Sequence, residues 1–105
     1  MKELKTKEEI EMISHNKNYL IEYGVPDTCI PCQMTKDNLE TFEKDSVFDL
    51  QYYYCTDVDI MTELGYTSIP VVELITENNK IILTDSSISM DEDELKDWIK
   101  ENIGE

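Results

Sequence analysis

The fold is decided by the stretch Tyr19-Leu20-Ile21-Glu22-Tyr23-Gly24-Val25-Pro26-Asp27-Thr28-Cys29-Ile30-Pro31-Cys32-Gln33-Met34. Its first five residues form a largely apolar, strand-like run, which breaks at Gly24 and Pro26. Two cysteines separated by two residues then open a polar segment that is compatible with a helix. The pattern predicts a strand, a loop and a Cys-x-x-Cys pair at the start of a helix. In that position, unpaired backbone N–H groups and the helix dipole stabilise a thiolate on the first cysteine.

Length and charge limit the possible functions. The 105 residues predict one domain, residues 1–105, with a single hydrophobic core. Acidic residues outnumber basic ones by 24 to 9, and the net charge of −15 argues against nucleic acid or an anionic membrane as a partner. The first nine residues lack the apolar segment of a signal peptide, and no run is long enough to predict a transmembrane helix. We therefore expect a cytoplasmic protein, in which a close cysteine pair is more typical of catalysis or metal binding than of a structural disulfide.

Capping signals and hydrophobic periodicity predict the remaining elements. Thr6 with Glu9 forms one capping box, and Ser89 with Glu92 forms a second one before the last helix. The first part of the chain alternates as parallel βαβ units do, and Asn78-Asn79 marks a closing hairpin. The predicted elements are helix 7–15, strand 19–23, helix 31–44 with the sparse apolar stripe Met34, Leu39 and Phe42, strand 47–54, helix 57–64, strands 69–75 and 80–84, and a final helix that buries Leu95, Trp98, Ile99 and Ile103.

This order of elements resembles the thioredoxin family over essentially the whole chain. The resemblance depends on two motifs, Cys29-Ile30-Pro31-Cys32 after the first long strand and Ser68-Ile69-Pro70 before the hairpin. It implies an α/β, thioredoxin-like fold, in which a mixed sheet of four to five strands lies between helices on both faces. It also implies a monomer.

The resemblance assigns roles to both motifs. It implies that Cys29 is the attacking thiolate and Cys32 the resolving thiol, with no metal and no cofactor beyond the redox-active Cys29–Cys32 disulfide. In the family, the proline that matches Pro70 is cis and lies against the disulfide, and the residue before it offers backbone hydrogen bonds to the substrate. The implied substrate-binding positions are Thr28, Ile30, Pro31, Ile69 and Pro70.

Three positions depart from the family pattern. Thr28 stands where a tryptophan is usual, which alters the surface that faces the substrate. The family's buried acid is matched by Glu22, one residue further from the cysteines than expected, which implies an insertion near Pro26. The lysine that neighbours this acid in many members is replaced by Cys55. Residues 85–91 contain no glycine, which makes the glutathione site of the related glutaredoxins doubtful.

Several residues have two interpretations. Glu22 is either buried, with a raised pKa that makes it a proton acceptor for Cys32, or solvated at the sheet margin, and the sequence favours neither. Cys55 is expected to be a small buried hydrophobe, with a regulatory thiol as the alternative. His15 is expected on the surface, at the end of the first helix. Asp27 and the overall negative charge are expected to make the Cys29 thiol less acidic than in oxidising relatives.

We expect a dithiol–disulfide oxidoreductase that reduces protein disulfides and is recycled by a thioredoxin reductase or a similar donor. Proline directly before the second cysteine is the pattern of the reducing members of the family, so a reductase is favoured over an oxidase. The alternatives are a glutaredoxin-like reductant and a non-enzymatic binding module that keeps the fold for protein contacts.

Overall fold

A computed structural model describes residues 1–104. Each predicted helix and strand has a counterpart in it, and two short elements are additional. The elements in chain order are β1 Lys2–Glu3, α1 Lys7–Glu11, β2 Tyr19–Tyr23, α2 Ile30–Lys44, β3 Gln51–Cys55, α3 Val58–Glu63, β4 Val71–Ile75, β5 Lys80–Leu83, α4 Ser86–Ser89 and α5 Glu92–Ile103.

The strands form one mixed sheet in the order β1-β3-β2-β4-β5. Strand β3 is parallel to β1 and β2, whereas β4 runs antiparallel to both β2 and β5. The last residue of β2, Tyr23, pairs with Cys55 on one side and with Val71 on the other. The ends of β2 and β3 and the start of β4 therefore meet at one edge of the sheet. The five-stranded mixed sheet confirms the predicted fold class.

Two hydrophobic cores lie on the two faces of the sheet, because successive side chains of a strand point to opposite faces. All five residues of β2 are buried, as expected for a strand that is covered on both sides. One face packs against residues near α1 and on α3, and the other packs against α2 and α5. The first core contains Tyr19, Ile21, Tyr23, Ile13, Ile60 and Met61, and the second contains Leu20, Leu39, Phe42, Leu95 and Ile99.

Helix α2 carries the second cysteine into the core. Its buried residues are Cys32, Thr35, Leu39 and Phe42, whose spacing of three and four residues follows one helical face. The expectation that Met34 belongs to this stripe is wrong, because Met34 is an exposed hydrophobic residue. Cys32 and Thr35 occupy the buried face instead. Neither is a large apolar residue, so the hydrophobic pattern of the sequence did not identify them.

The second predicted capping box is wrong. Ser89 belongs to the short helix α4, where it is buried and its hydroxyl accepts a hydrogen bond from the Thr35 hydroxyl at 2.9 Å. Helix α5 is capped by Asp91, whose carboxylate accepts from the backbone N–H of Glu94 at 3.0 Å. Aspartate is as good an N-cap as serine, so the local pattern does not decide between them. The Ser89 hydroxyl is used in the contact between α2 and α4, so it does not cap α5.

Other differences lie at the ends of elements. The first helix begins with the predicted capping box of Thr6 and Glu9, but it ends at Glu11, ahead of the turn-forming residues 14–18. The strand expected from Val47 begins only at Gln51, because residues 46–50 form turns and bends. Strand β4 begins at Val71, so Ile69 and Pro70 precede it, and β5 ends at Leu83. Strand β1 was not predicted, since two polar residues carry no periodic signal.

Candidate active site

The loop after β2 delivers the cysteine pair to the edge of the sheet. Its first residue continues the β2–β3 pairing, because the Gly24 N–H donates to the Cys55 carbonyl at 3.1 Å. The Thr28 N–H donates to the Val25 carbonyl at 3.0 Å and closes a turn over Pro26 and Asp27. The chain then enters α2 with Cys29 as its N-cap residue. The predicted strand, loop and helix arrangement is confirmed.

A disulfide joins Cys29 and Cys32. The Cys29 sulfur accepts a hydrogen bond from the backbone N–H of Cys32 at 3.2 Å, so it is held at the positive end of the α2 dipole. Cys29 is half-buried, whereas Cys32 is 0% exposed. Of the two sulfur atoms, the one of Cys29 is therefore the more accessible to another molecule.

Gly24 makes close packing around the disulfide possible. A Cβ atom at this position would lie 2.9 Å from the Cys32 sulfur and 3.6 Å from Oε2 of Glu22. The glycine is therefore needed for space and not for a positive φ angle. Because the side chain is missing, the Gly24 backbone, the Cys32 sulfur and the Glu22 carboxyl group pack closely around this position.

Glu22 is the buried acid of the site. It is 2% exposed, and its Oε2 atom has no hydrogen-bond partner. Burial raises its pKa to about 8, although the Lys36 ammonium acts in the opposite direction. The interpretation of Glu22 as a solvated residue at the sheet margin is wrong. A carboxyl group with this pKa is able to exchange protons near neutral pH.

The cation near Glu22 comes from α2 and was missed in the sequence. Lys36 lies one turn after Cys32, and its Nζ atom is 4.3 Å from the centre of the Tyr54 ring. Tyr54 is the β3 residue that pairs with Glu22. Lys36 and Tyr54 line a cavity of about 490 Å³ together with residues 25–28. The spacing of four residues from Cys32 is the signal that could have identified this lysine.

Cys55 is a buried thiol in the first hydrophobic core. It is 0% exposed in the core beside α3, and burial raises the pKa of its thiol. The prediction of a small buried hydrophobe is confirmed. His15 is exposed, as expected, but it lies beyond the end of α1 and packs edge-on against Tyr19 at 5.6 Å.

The Ile69–Pro70 segment lies at the same edge as the disulfide. The peptide bond between the two residues is cis. Because Val71 pairs with Tyr23, the register places Pro70 beside Gly24, the residue that adjoins Cys32. Pro70 is buried, whereas Ile69 is half-buried against the core beside α3. The structure thus brings the two sequence motifs together.

The surface around Cys29 combines apolar and polar side chains. Ile30 is 75% exposed, Thr28 is also exposed, and Pro31 is half-buried. A groove with a volume of about 430 Å³ lies between α3 and residues 65–69. Val58, at the start of α3, is exposed on its rim.

Neither a metal-binding cluster nor a membrane-spanning helix occurs within residues 1–104. No group of three or more His, Cys, Asp or Glu side chains there is arranged to hold a metal ion. In the same range, no helix is both long enough and apolar enough to cross a membrane.

The importance of the close packing at Gly24 is testable by substitution. We expect Gly24→Ala to destabilise the protein by about 1–3 kcal/mol, because the new methyl group overlaps the Cys32 sulfur and the loop has to shift. It should also slow closure of the disulfide by Cys32. Urea unfolding and stopped-flow oxidation of the dithiol measure the two effects.

Gly65→Ala is the matched control. Gly65 has a φ of 83° and no atom within 4 Å of the added Cβ, so alanine strains the backbone there without touching the disulfide. It should lower stability and leave the rate of disulfide closure unchanged. Equal effects of the two substitutions on that rate would contradict a special role for the close packing at Gly24.

Comparison with known proteins gives a clear result for structure only. No protein-family model and no curated protein sequence matches the chain significantly. Among solved structures, Fasciola hepatica thioredoxin is similar with a TM-score of 0.76 and 17% identity, covering 96% of this chain and 98% of that one. A mutant thioredoxin from Halobacterium salinarum has a TM-score of 0.73 and 24% identity, covering 97% and 91%.

A third solved structure, Chlamydomonas reinhardtii thioredoxin f2, has a TM-score of 0.75 and 15% identity, covering 97% of this chain and 95% of that one. Likeness at such identities concerns the backbone, and it spans nearly all of both chains in each comparison. It confirms the resemblance inferred from the two motifs at the level of architecture. The chain has the thioredoxin fold, with a Cys-x-x-Cys disulfide at the start of its longest helix.

Proposed function

We propose that this protein is a thiol–disulfide oxidoreductase that reduces disulfides of other proteins with the dithiol of Cys29 and Cys32. The observation that carries the proposal is the asymmetry of the pair. Cys29 is accessible at a helix N-terminus, whereas Cys32 is buried next to an unpartnered carboxyl group. A structural disulfide requires neither the accessible sulfur nor the acid.

The first step uses Cys29. In the reduced protein, its thiolate attacks one sulfur of a substrate disulfide, the substrate S–S bond breaks, and a mixed disulfide forms between Cys29 and the substrate. The departing substrate thiolate takes up a proton from solvent. The hydrogen bond from the Cys32 N–H and the α2 dipole stabilise the attacking thiolate.

The second step uses Cys32 and Glu22. The Cys32 thiol transfers its proton to the Glu22 carboxylate, directly or through one water, and then attacks the Cys29 sulfur of the mixed disulfide. The Cys29–Cys32 disulfide forms, and the second substrate sulfur leaves as a thiolate that becomes protonated. A carboxyl group whose pKa burial raises to about 8 is a stronger proton acceptor than an ordinary carboxylate, which suits it to take the proton of the Cys32 thiol.

The substrate is proposed to bind across the edge that holds both motifs. Thr28, Ile30 and Pro31 supply the surface on one side of the disulfide. Ile69 supplies backbone groups on the other side, since β4 begins only at Val71, and Pro70 fills the space next to Gly24. The exposed Ile30 side chain favours an apolar residue in the substrate near its disulfide.

We also propose the cellular setting that this chemistry needs. The protein acts as a monomer in a reducing cytoplasm, and a thioredoxin reductase or a similar dithiol donor returns electrons to the Cys29–Cys32 disulfide. The net charge of −15 makes nucleic acid and membrane surfaces poor partners.

Reduction of insulin by dithiothreitol tests the proposal. The protein should accelerate the precipitation of reduced insulin at catalytic concentrations. Equilibration with glutathione should give a reduction potential of about −270 mV, in the range of a reductant. A protein that leaves the insulin rate at the level of dithiothreitol alone would contradict the proposed function, and a potential of about −120 mV would indicate an oxidant.

A further inference from the structure

A second buried acid lies on the sheet face opposite to Glu22. Glu73 occupies the middle of β4 and is 3% exposed, on the face covered by α1 and α3. Its Oε2 atom accepts a hydrogen bond from the Tyr66 hydroxyl, and the Lys80 ammonium lies 3.5 Å from the same oxygen. The neighbouring positions on this face, Val71 and Ile75, are core residues. An acid between them needs an explanation, since an unpartnered buried carboxylate is costly.

Three tyrosine side chains, those of Tyr19, Tyr23 and Tyr66, lie near Glu73. Burial together with the charge of Glu73 raises the pKa of Tyr19 and of Tyr23. Burial and the hydrogen bond to Glu73 raise the pKa of Tyr66 well above its usual range. Tyr66 therefore keeps its proton and acts as a permanent donor to Glu73. Lys80 is half-exposed and supplies the only cation of the group among residues 1–104.

The hydrogen bond between Tyr66 and Glu73 closes a loop. The two residues are seven positions apart, and Ile69 and Pro70 lie between them. The Tyr66 ring packs against the Tyr23 ring with centroids 5.3 Å apart, directly before Gly24. Its backbone N–H donates to the carbonyl of Met61 in α3 at 2.9 Å. One end of the loop is thus attached to β2, β4 and α3 at once.

The loop is also one wall of the groove between α3 and residues 65–69. Tyr66 and Ile69 both line this groove, which runs along α3. Residues 67–70 form no strand pairing of their own, because β4 begins at Val71. Apart from the packing of Ile69 against the core and the burial of Pro70, their position depends on the attachments at the two ends. The Tyr66 hydroxyl is the attachment that spans the loop from one end to the other.

We propose that Tyr66 and Glu73 are positioning residues for disulfide exchange, whose hydrogen bond holds the Ile69–Pro70 segment in place to receive the substrate backbone. This inference rests on the proposed function. Neither residue touches a sulfur atom, so both act through the loop. Their removal should weaken reactions with a protein disulfide, which needs the loop, and should not alter the intrinsic reactivity of Cys29.

The test compares two reactions of the reduced protein. Tyr66→Phe removes only the hydroxyl, and it should lower kcat/KM for insulin reduction by about tenfold, mainly through a higher KM. Alkylation of Cys29 by iodoacetamide, a small reagent that needs no loop contact, should proceed at the wild-type rate. The reduction potential against glutathione should also be unchanged.

Matched variants separate positioning from general damage. Tyr53→Phe removes a hydroxyl that donates to the Gln51 side chain at 3.0 Å, outside the loop, and should leave kcat/KM unchanged. Glu73→Gln retains a carbonyl oxygen that accepts from Tyr66, so it should keep most of the wild-type rate. Glu73→Leu removes the acceptor and should reproduce the effect of Tyr66→Phe. The two Glu73 variants give the answer if Tyr66→Phe does not fold.

The possible results are distinct. An active wild type with an unchanged kcat/KM for Tyr66→Phe or Glu73→Leu would overturn the positioning role alone. An equal fall in the alkylation rate would also overturn it, because the effect would then lie in the cysteine pair. A wild type that does not reduce insulin would overturn this inference together with the proposed function.

Discussion

Replacing Cys29 with serine should reduce insulin turnover to the rate of dithiothreitol alone. A serine hydroxyl at the N-cap still accepts the N–H of Cys32, so the helix start is preserved. It cannot attack a disulfide at neutral pH, since its hydroxyl stays protonated and no S–S bond can form. The turbidity assay measures the loss, and circular dichroism shows whether the fold is retained.

Replacing Cys32 with serine should give a different defect. The Cys29 thiolate remains able to attack, but the mixed disulfide is no longer resolved from within the protein. The variant should therefore accumulate as a covalent adduct with a disulfide substrate, which intact-mass measurement detects and dithiothreitol reverses. Cys55→Ala is the control, because this buried thiol takes no part in the proposed exchange. Full turnover by Cys29→Ser, or a complete loss in Cys55→Ala, would contradict the assignment.

The second large effect concerns the pH dependence of stability. The pKa of Glu22 is about 8 in the folded protein, against an ordinary value of 4.5. Between these values the folded chain holds a proton that the unfolded chain has released. The contribution of Glu22 to stability is therefore greatest at low pH, and it falls by about 1.4 kcal/mol per pH unit as the pH rises through this window. The total loss by pH 8 is roughly 4 kcal/mol.

Glu22→Gln removes this dependence, because the amide does not titrate. Urea unfolding of the oxidised proteins at pH 5, 7 and 9 should show the wild type losing stability relative to the variant at each step. Burying the amide changes the free energy of unfolding by the same amount at every pH, so it does not affect the comparison of how steeply stability changes with pH in the two proteins. Glu101→Gln changes an exposed acid on α5, which does not contribute to the pKa of Glu22, and it should follow the wild-type profile. Parallel profiles for Glu22→Gln and the wild type would show that Glu22 does not titrate in this window.

The parts of the fold that were predictable depend on local chemistry. The capping box of Thr6 and Glu9, the strand before Gly24 and the cysteine pair at a helix start each lie within a short segment, whose residues satisfy one another. The Ser89 capping box failed because a contact from α2, 54 residues away, takes up the serine hydroxyl. The two-residue strand β1 exists only because β3 is there to pair with it.

The sequence was sufficient to predict the cysteine pair of the candidate site, but it did not decide which acidic residues are buried there. Whether Glu22 is buried depends on what α2 places over the sheet, so the sequence left two interpretations open. Lys36 comes close to Glu22 because α2 packs over β2. The sequence of β2 alone does not show this proximity. Alternation along β4 places Glu73 on a core face, but only the folded chain shows that the Tyr66 hydroxyl reaches it.

The close packing of Cys32 and Glu22 around Gly24 has a consequence for how different clients are handled under the proposed chemistry. Capture by Cys29 takes place on an open surface, so its rate varies with the shape and charge of each client. Release depends on a proton that passes between Cys32 and Glu22 inside the protein, where no client side chain enters. Clients of very different affinity should therefore share one common pH profile for their release.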